Sequence, residues 1–191
     1  MFRRTMQSDV YGKIIYKEAC WLIKENIDLF INGKIQAIKG EIDVFSVVYE
    51  EKKLGLLDEE HIQFYDENPY LVNEEKASAI EAFQKHMFQK LVLTSKREIC
   101  NLIEEVALQK REECLEGQTE KSFAKIVGRE KAHSCFKAKT RAEKLSSLVL
   151  KRMRIMQDHI EITCKCDWFR PSGGFIIYED GGVEMRYIDS I

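Results

Sequence analysis

IDLFINGKIQAI, residues 27–38, is the stretch on which the fold of this 191-residue chain depends. Apolar side chains on its N-terminal side continue a spacing of three to four residues that starts near Val10. A second series with the same spacing begins at Ile35, and Asn32-Gly33 between the two is a helix stop signal. The spacing predicts two helices, at about residues 8–31 and 34–53, paired as an antiparallel helical hairpin.

After a loop predicted at residues 54–72, the helical pattern resumes and continues to about residue 156. Residues 73–116 predict one long amphipathic helix, or two helices with a bend, with a weak point at Thr94-Ser95. Thr119 is a good N-cap for a further helix, which we expect to restart after Gly128 and to reach about residue 153. This last helix is rich in basic residues, so much of its surface must be solvated or covered by a partner.

After residue 156 the pattern changes to an alternation with period two. Residues 160–166 alternate apolar and polar side chains, and turns are predicted at Pro171-Ser-Gly-Gly and at Asp180-Gly-Gly. The sequence therefore predicts a mainly α protein with a small C-terminal antiparallel β-sheet. We expect a helical bundle in residues 1–156 and a three-stranded β domain in residues 157–191.

Composition favours an ordered protein with long helices. The chain is 45% hydrophobic and 32% charged, with only two prolines and ten glycines. No apolar run approaches the roughly 18 to 20 residues that cross a bilayer, and the first residues lack the apolar core of a secretory signal. We therefore expect an intracellular protein without membrane partners, whose six cysteines are free thiols.

Charge is sorted along the chain. Acidic side chains exceed basic ones by nine between Glu41 and Glu81, and basic side chains exceed acidic ones by nine between Lys121 and Arg154. Separated charge of this kind is typical of proteins that dock to partners of opposite sign. The whole-chain charge of -2 conceals this separation.

The candidate binding residues come from the basic block. They are Lys137, Lys139, Arg141, Lys144, Lys151, Arg152 and Arg154. A stripe of these side chains would attract either an acidic protein subunit or nucleic acid. Phe136 is the only Phe, Tyr or Trp between Lys131 and Arg154, which weakens stacking on bases, so an acidic protein surface is the preferred interpretation.

No pattern predicts catalysis or a cofactor. The sharpest metal alternative is zinc, because five candidate ligands lie within 34 residues: His133, Cys135, His159, Cys164 and Cys166. Their spacing differs from that of common zinc knuckles, so we predict no metal site, although the sequence alone leaves the question open. Adjacent acids at 58–60 are more typical of a solvated face than of a nuclease site, and Cys135 with His133 does not form a nucleophile pair.

Several short motifs of this sequence resemble motifs in subunits of the GINS replication complex. Tyr11-Gly12 resembles a Tyr-Gly pair that opens the first helix of that family, and residues 96–100 resemble its basic run ending in cysteine. Phe136-Lys-Ala-Lys is similar to a Phe-x-x-Tyr-Lys stretch of the family without its tyrosine. Residues 160–162 and Asp180-Gly-Gly-Val are similar to the strand and Asp-Gly hairpin of its small domain.

This resemblance, to the lineage of partner-of-Sld-five subunit one, implies a non-enzymatic scaffold. Such a subunit assembles with sister subunits, helps to activate the replicative helicase in DNA replication, and acts in the nucleus. We therefore expect a non-enzymatic subunit of an intracellular assembly, as a hetero-oligomer or a homo-oligomer. The alternative is a helical nucleic-acid-binding protein that uses residues 121–154.

Overall fold

The computed structural model describes residues 5–17, 20–43, 84–156 and 158–187. Within these ranges the chain is an α+β fold in which nine strands form one mixed sheet. The N-terminal strands are β1 (Thr5–Ser8), β2 (Gly12–Lys17), β3 (Cys20–Ile23), β4 (Ile27–Ile31) and β5 (Lys34–Asp43). The C-terminal strands are β6 (Val149–Ile155), β7 (His159–Cys166), β8 (Phe169–Tyr178) and β9 (Val183–Tyr187).

Helices connect the two groups of strands. Residues 84–88 are helical and lead into a π-helix at Gln89–Thr94. They are followed by α1 (Lys96–Leu115), α2 (Glu120–Val127), α3 (Arg129–Lys137) and the short α4 (Arg141–Lys144). No helix in the described ranges is long and apolar enough to cross a membrane.

Residues 27–38 form a β-hairpin, so the prediction of two helices there is wrong. Asn32 and Gly33 have φ values of +52° and +73°, the left-handed values that a two-residue hairpin turn requires. On β4, buried positions alternate strictly with exposed ones from Ile27 to Ile31. The period of two, together with Asn-Gly, was the stronger signal, and the spacing of three between Ile27 and Phe30 was incidental.

The predicted mainly α fold, a helical bundle with a small three-stranded appendage, is contradicted by this sheet. Three C-terminal strands are present as expected, but they belong to the nine-stranded sheet. The predicted basic helix ends early, because residues 149–155 form β6 instead of its last turns. The predicted turn at Pro171-Ser-Gly-Gly is also wrong, since β8 runs through it from Phe169 to Tyr178.

One parallel contact joins the two groups of strands. The strand order is β1-β2-β3-β5-β6-β7-β8-β9, with β4 paired to the N-terminal part of β5. All pairs are antiparallel except β5 with β6, where Lys39 to Ile42 lie in register with Arg152 to Ile155. The side chain of Gln36 extends this contact, because its Nε2 donates to the Leu148 carbonyl at 3.1 Å and its Oε1 accepts from the Leu150 amide at 2.7 Å.

The core lies between one face of the sheet and the helices. Buried residues of α1, including Ile99, Ile103 and Ala107, belong to the same cluster as Ile38 and Ile160 of the sheet. The weak point expected at Thr94-Ser95 is confirmed, since the π-helix ends at Thr94 and α1 begins at Lys96. The cluster contains residues from both sides of residue 156, and the division into domains 1–156 and 157–191 stays a prediction.

Helix α1 also contacts the turn that follows β4. Glu104 Oε1 accepts a hydrogen bond from the Asn32 amide at 2.7 Å. The hairpin turn is thereby tied to the middle of α1.

We expect Gly33→Val to destabilise the protein by about 1 to 2 kcal/mol, because a β-branched residue is strained at positive φ. No other group comes within 4 Å of a Cβ built at this position, so the loss comes from the backbone and not from a clash. Urea denaturation provides the measurement. Gly33→Asn is the matched control and should cost clearly less, because asparagine tolerates the left-handed region. Equal losses for both variants would contradict this account of the turn.

Candidate partner-binding surfaces

The structure divides the predicted basic stripe between two surfaces. Lys137, Lys139, Arg141 and Lys144 lie on or beside α3 and α4, whereas Lys151, Arg152 and Arg154 lie on β6. We call the exposed side of α2, α3 and α4 the helical face. We call the side of the sheet opposite the core the sheet face. A single continuous stripe is therefore not formed, because the chain changes from helix to strand between its two halves.

Two of the predicted binding residues hold the fold together. Arg141 donates from Nε and Nη2 to Glu104 Oε2 at 3.1 and 2.9 Å, and Lys144 Nζ lies 2.8 Å from Glu112 Oε1. The hydrogen bond from Lys144 is the main reason why the pKa of Glu112 lies below its ordinary value. Asn32 adds a hydrogen bond from Nδ2 to the Ala142 carbonyl at 3.0 Å. These contacts fasten α4 to α1 and to the hairpin turn.

Other cations of the helical face remain available to a partner. Within the described ranges, Lys137 and Lys139 are exposed and have no ion-pair partner. An open groove of about 740 Å³ lies between α2 and α3, and a smaller one of about 280 Å³ runs beside α1 and α4. The first is lined by Glu120, Lys121, Ala124, Lys125, Arg129, Glu130 and His133. The second is lined by Leu108, Gln109, Glu112, Lys139, Arg141 and Lys144.

On the sheet face, charged side chains form a row across neighbouring strands. Glu41, Arg154 and Glu161 are aligned in register on β5, β6 and β7. Arg154 Nη1 lies 3.7 Å from Glu161 Oε2, and Arg152 Nη1 lies 3.4 Å from Glu41. Two predicted binding residues, Arg152 and Arg154, are therefore partly neutralised by neighbours on the same face.

The adjoining cations of the sheet face are not neutralised in this way. Lys39 lies in register with Arg152, and Lys165 lies opposite Val149 at the start of the β6–β7 pair. Lys39, Lys151 and Lys165 are exposed, and none has an ion-pair partner among the residues that the structure describes. The only contact of the Lys39 amine there is a long hydrogen bond of 3.4 Å to the Lys24 carbonyl.

Sequence reasoning missed the exposed apolar side chains of the sheet face. Phe30 and Ile35 lie directly opposite each other on β4 and β5, and they are 59% and 69% exposed. Val149 at the start of β6 is 42% exposed and points away from the core that buries its neighbour Leu150. The hairpin reading of residues 27–38 would have revealed the first two, because alternation with Ile31 places Phe30 outside.

His159 is the best-connected titratable group of the sheet face. Its Nδ1 lies 2.6 Å from Asp158 and its Nε2 lies 3.3 Å from Glu161. Burial lowers the pKa of His159, but the hydrogen bonds to Glu161 and Asp158 outweigh this effect and raise it above 6.5. The same contact with His159 is the main reason why the pKa of Glu161 lies below 4.5.

The candidate metal ligands are not assembled into a site. His133 contacts Glu120 on the helical face, His159 belongs to the sheet face, and Cys135 is buried in α3. In the described part of the chain no group of three or more His, Cys, Asp or Glu side chains could hold a metal ion. The carboxylates at 58–60 lie outside the described residues, as does most of the acidic block from Glu41 to Glu81.

Four of the six thiols have pKa values above the ordinary value for cysteine. Burial raises the pKa of Cys100, Cys114 and Cys135, and a hydrogen bond with Cys166 together with burial raises the pKa of Cys164. A thiol must lose its proton to act as a nucleophile, so these four are held in the unreactive form. None of the six cysteines forms a disulfide.

Comparison with known proteins adds no functional assignment. No protein-family model, no curated protein and no solved structure matches this chain.

Arg141→Ala should lower the free energy of unfolding by about 1 kcal/mol, because Glu104 loses two charge-assisted hydrogen bonds at a partly exposed site. Lys137→Ala should have little effect, because its side chain has no ion-pair partner in the described ranges. Thermal and urea unfolding of both variants test this contrast. Equal stability of the two variants would show that Arg141 does not anchor α4.

We expect the His159 contacts to stabilise the protein most between about pH 4.5 and 6.5. A histidine whose pKa is raised by folding stabilises fully below its unfolded pKa, and the gain is lost as the pH rises through the folded value. A carboxylate whose pKa is lowered stabilises above its unfolded value, and the gain is lost on acidification. The stability difference between wild type and His159→Gln should therefore be larger at pH 5.5 than at pH 8.

Glu161→Gln is the companion variant for this measurement, because it removes the carboxylate that His159 contacts through Nε2. Its loss of stability should also be larger at pH 5.5 than at pH 8. Urea titrations at several pH values give both profiles. A pH-independent difference for His159→Gln would contradict the assignment.

Proposed function

We propose that the protein is a non-enzymatic binding subunit that docks an acidic partner protein on its sheet face. The observation that carries this proposal is the exposed cross-strand pair of Phe30 and Ile35 beside unneutralised cations. An exposed apolar cluster rimmed by charge is typical of protein-binding surfaces. The clustering matters, because single exposed apolar residues are common on any protein surface.

The apolar part of the sheet face is suited to anchor a partner. Phe30 and Ile35 stand side by side on adjacent strands, and Ala37 is exposed on the same face of β5. The side chains stand on a rigid hairpin whose turn is tied to α1 through Glu104, so little order is lost when a partner binds. A large aromatic anchor at the centre of an interface supplies much of its affinity.

The charged part indicates the sign of the partner. Lys39, Lys151 and Lys165 contribute positive charge without ion-pair partners in the described part of the chain. Complementary carboxylates on the partner would speed association and fix orientation.

A protein fits this surface better than nucleic acid does. The sheet face has three large exposed apolar side chains among the described residues, namely Phe30, Ile35 and Val149. Ile35 and Val149 are aliphatic and cannot stack on bases as aromatic rings do. Acidic side chains also occupy the face, with exposed Asp28 opposite Ala37 and with Glu41 and Glu161 in the adjacent row. These acids would repel a continuous phosphate backbone, whereas a protein can place basic or polar side chains beside them.

The resemblance to GINS subunits would place such docking in a replication assembly. One support for it, the N-terminal helical hairpin, is replaced by strands β1 to β5. We therefore propose the role of an assembly subunit without naming the assembly. The main partner contact is proposed on the sheet face and not on the basic helix that the sequence predicted.

The test compares proteins captured from the native source by three forms of the full chain. Wild type and the double variant Phe30→Ser/Ile35→Ser are compared with Leu93→Ser/Ile126→Ser, which removes exposed apolar side chains elsewhere. Quantitative mass spectrometry should show a partner with an acidic surface that is retained by the control. The double variant should reduce its recovery by about tenfold or more, as expected for loss of a central anchor.

Circular dichroism and urea unfolding must show that both double variants are folded like wild type. Equal recovery by all three forms would contradict the proposal. If the Phe30→Ser/Ile35→Ser variant captured less nucleic acid than wild type but the same proteins, that result would also contradict the proposal. It would favour the nucleic-acid alternative.

A further inference from the structure

We propose that the groove between α2 and α3 is a second binding site, which takes an acidic segment of a partner protein. The groove is open, has a volume of about 740 Å³, and presents cations from both of its walls. It lies on the helical face and shares no residue with the sheet face, so it is independent of the function proposed above. We call it the α2–α3 groove.

The wall formed by α2 is fixed at its N-terminal end. The Thr119 hydroxyl accepts from the Ser122 amide at 3.1 Å, and the Ser122 hydroxyl accepts from the Thr119 amide at 2.9 Å. This reciprocal capping box satisfies two amides that would otherwise lack partners in the helix. Phe123 and Val127 then bury the opposite side of α2 in the core.

The wall formed by α3 is fixed at both ends. Gly128, with φ at +94°, forms the sharp connection between the two helices, and Ala132 and Cys135 are buried. The Arg111 guanidinium, itself 2% exposed, donates to the Cys135 carbonyl in the last turn of α3. A buried cation at the C-terminal end of a helix donates to a carbonyl that has no partner within the helix, and it interacts favourably with the negative end of the helix dipole. The groove is therefore preformed and needs little reorganisation to bind.

Positive charge predominates inside the α2–α3 groove. Lys121 and Lys125 lie one turn apart on α2, and Arg129 begins α3. None of the three has an ion-pair partner among the residues that the structure describes. Of the two acids in the lining, Glu120 is already held by His133 Nδ1 at 2.9 Å, which leaves Glu130.

The surface between these charges is apolar. Ala124 lies between Lys121 and Lys125 on α2 and lines the groove together with them. Lysine stems cover apolar surface while their amines remain in water. A bound segment could therefore place small aliphatic side chains over Ala124 and its carboxylates at the amines.

An acidic protein segment fits this lining better than nucleic acid does. Among the described residues of the lining, His133 has the only ring, so successive bases would find a single side chain on which to stack. Glu130 would repel a uniform phosphate backbone, whereas a protein segment can place a basic or polar side chain beside it. Mixed charge in the groove thus selects a mixed but mainly acidic ligand.

The experiment measures binding of two fluorescent probes to the full chain by anisotropy. One probe is a peptide of alternating Glu and Ala residues, and the other is single-stranded oligothymidylate of equal charge. Lys121→Glu/Lys125→Glu/Arg129→Glu should weaken peptide binding by about tenfold or more, since close charge pairs supply much of the attraction. Affinity should fall with added salt, because these charges are exposed to solvent.

The matched control is Lys13→Glu/Lys24→Glu/Arg97→Glu, which changes the net charge equally at exposed positions outside the groove lining. It should keep peptide affinity within about twofold of wild type. Lys121→Gln/Lys125→Gln/Arg129→Gln serves if charge reversal prevents folding, and it should also weaken binding. Equal losses for the groove variants and the control, or tighter binding of the oligothymidylate than of the peptide, would overturn the proposal.

Discussion

The parallel pairing of β5 with β6 is the constraint on which the rest of the described structure depends. It joins an N-terminal and a C-terminal set of antiparallel strands into one sheet, although more than a hundred residues separate the paired positions. The Gln36 side chain extends the contact by satisfying the Leu148 carbonyl and the Leu150 amide where β6 begins. Parallel neighbours require a long connection, and here that connection carries the helices that cover the core face.

Glu104 connects this sheet to the helices. Its two carboxylate oxygens contact the Asn32 amide in the hairpin turn and the Arg141 guanidinium at the start of α4. An arginine that looked like a binding residue is thereby a structural anchor, and Lys144 is similarly held by Glu112. The basic side chains of one sequence block therefore have two different roles. Some form ion pairs with acidic side chains of the fold, and only the others are available to a partner.

The two proposed surfaces differ in chemistry and lie on different parts of the molecule. The sheet face combines apolar anchors with cations, whereas the α2–α3 groove combines cations with a small apolar floor. The helices contribute to the core on one side of the sheet, so the exposed side of the sheet remains accessible independently of the groove. A chain with two such surfaces is suited to connect two partners, or two segments of one partner. This arrangement is the basis on which we propose the role of an assembly subunit.

The sequence alone determined those features that depend on neighbouring residues. It identified the Thr119 cap, the break at Thr94-Ser95 and the alternating strand after residue 156, because caps, breaks and alternation are local signals. The N-terminal fold was also encoded by neighbouring residues, but Asn32-Gly33 is compatible with both a helix stop and a hairpin turn. Because we interpreted it as a helix stop, we predicted two helices where the structure has five strands. Only the tertiary structure decided which cations are free, since the acids that hold Arg141 and Arg152 lie 37 and 111 residues away in the chain. Ion pairs between distant residues leave no periodic trace in a sequence, and the sheet that exposes Phe30 exists only once β4 and β5 have paired.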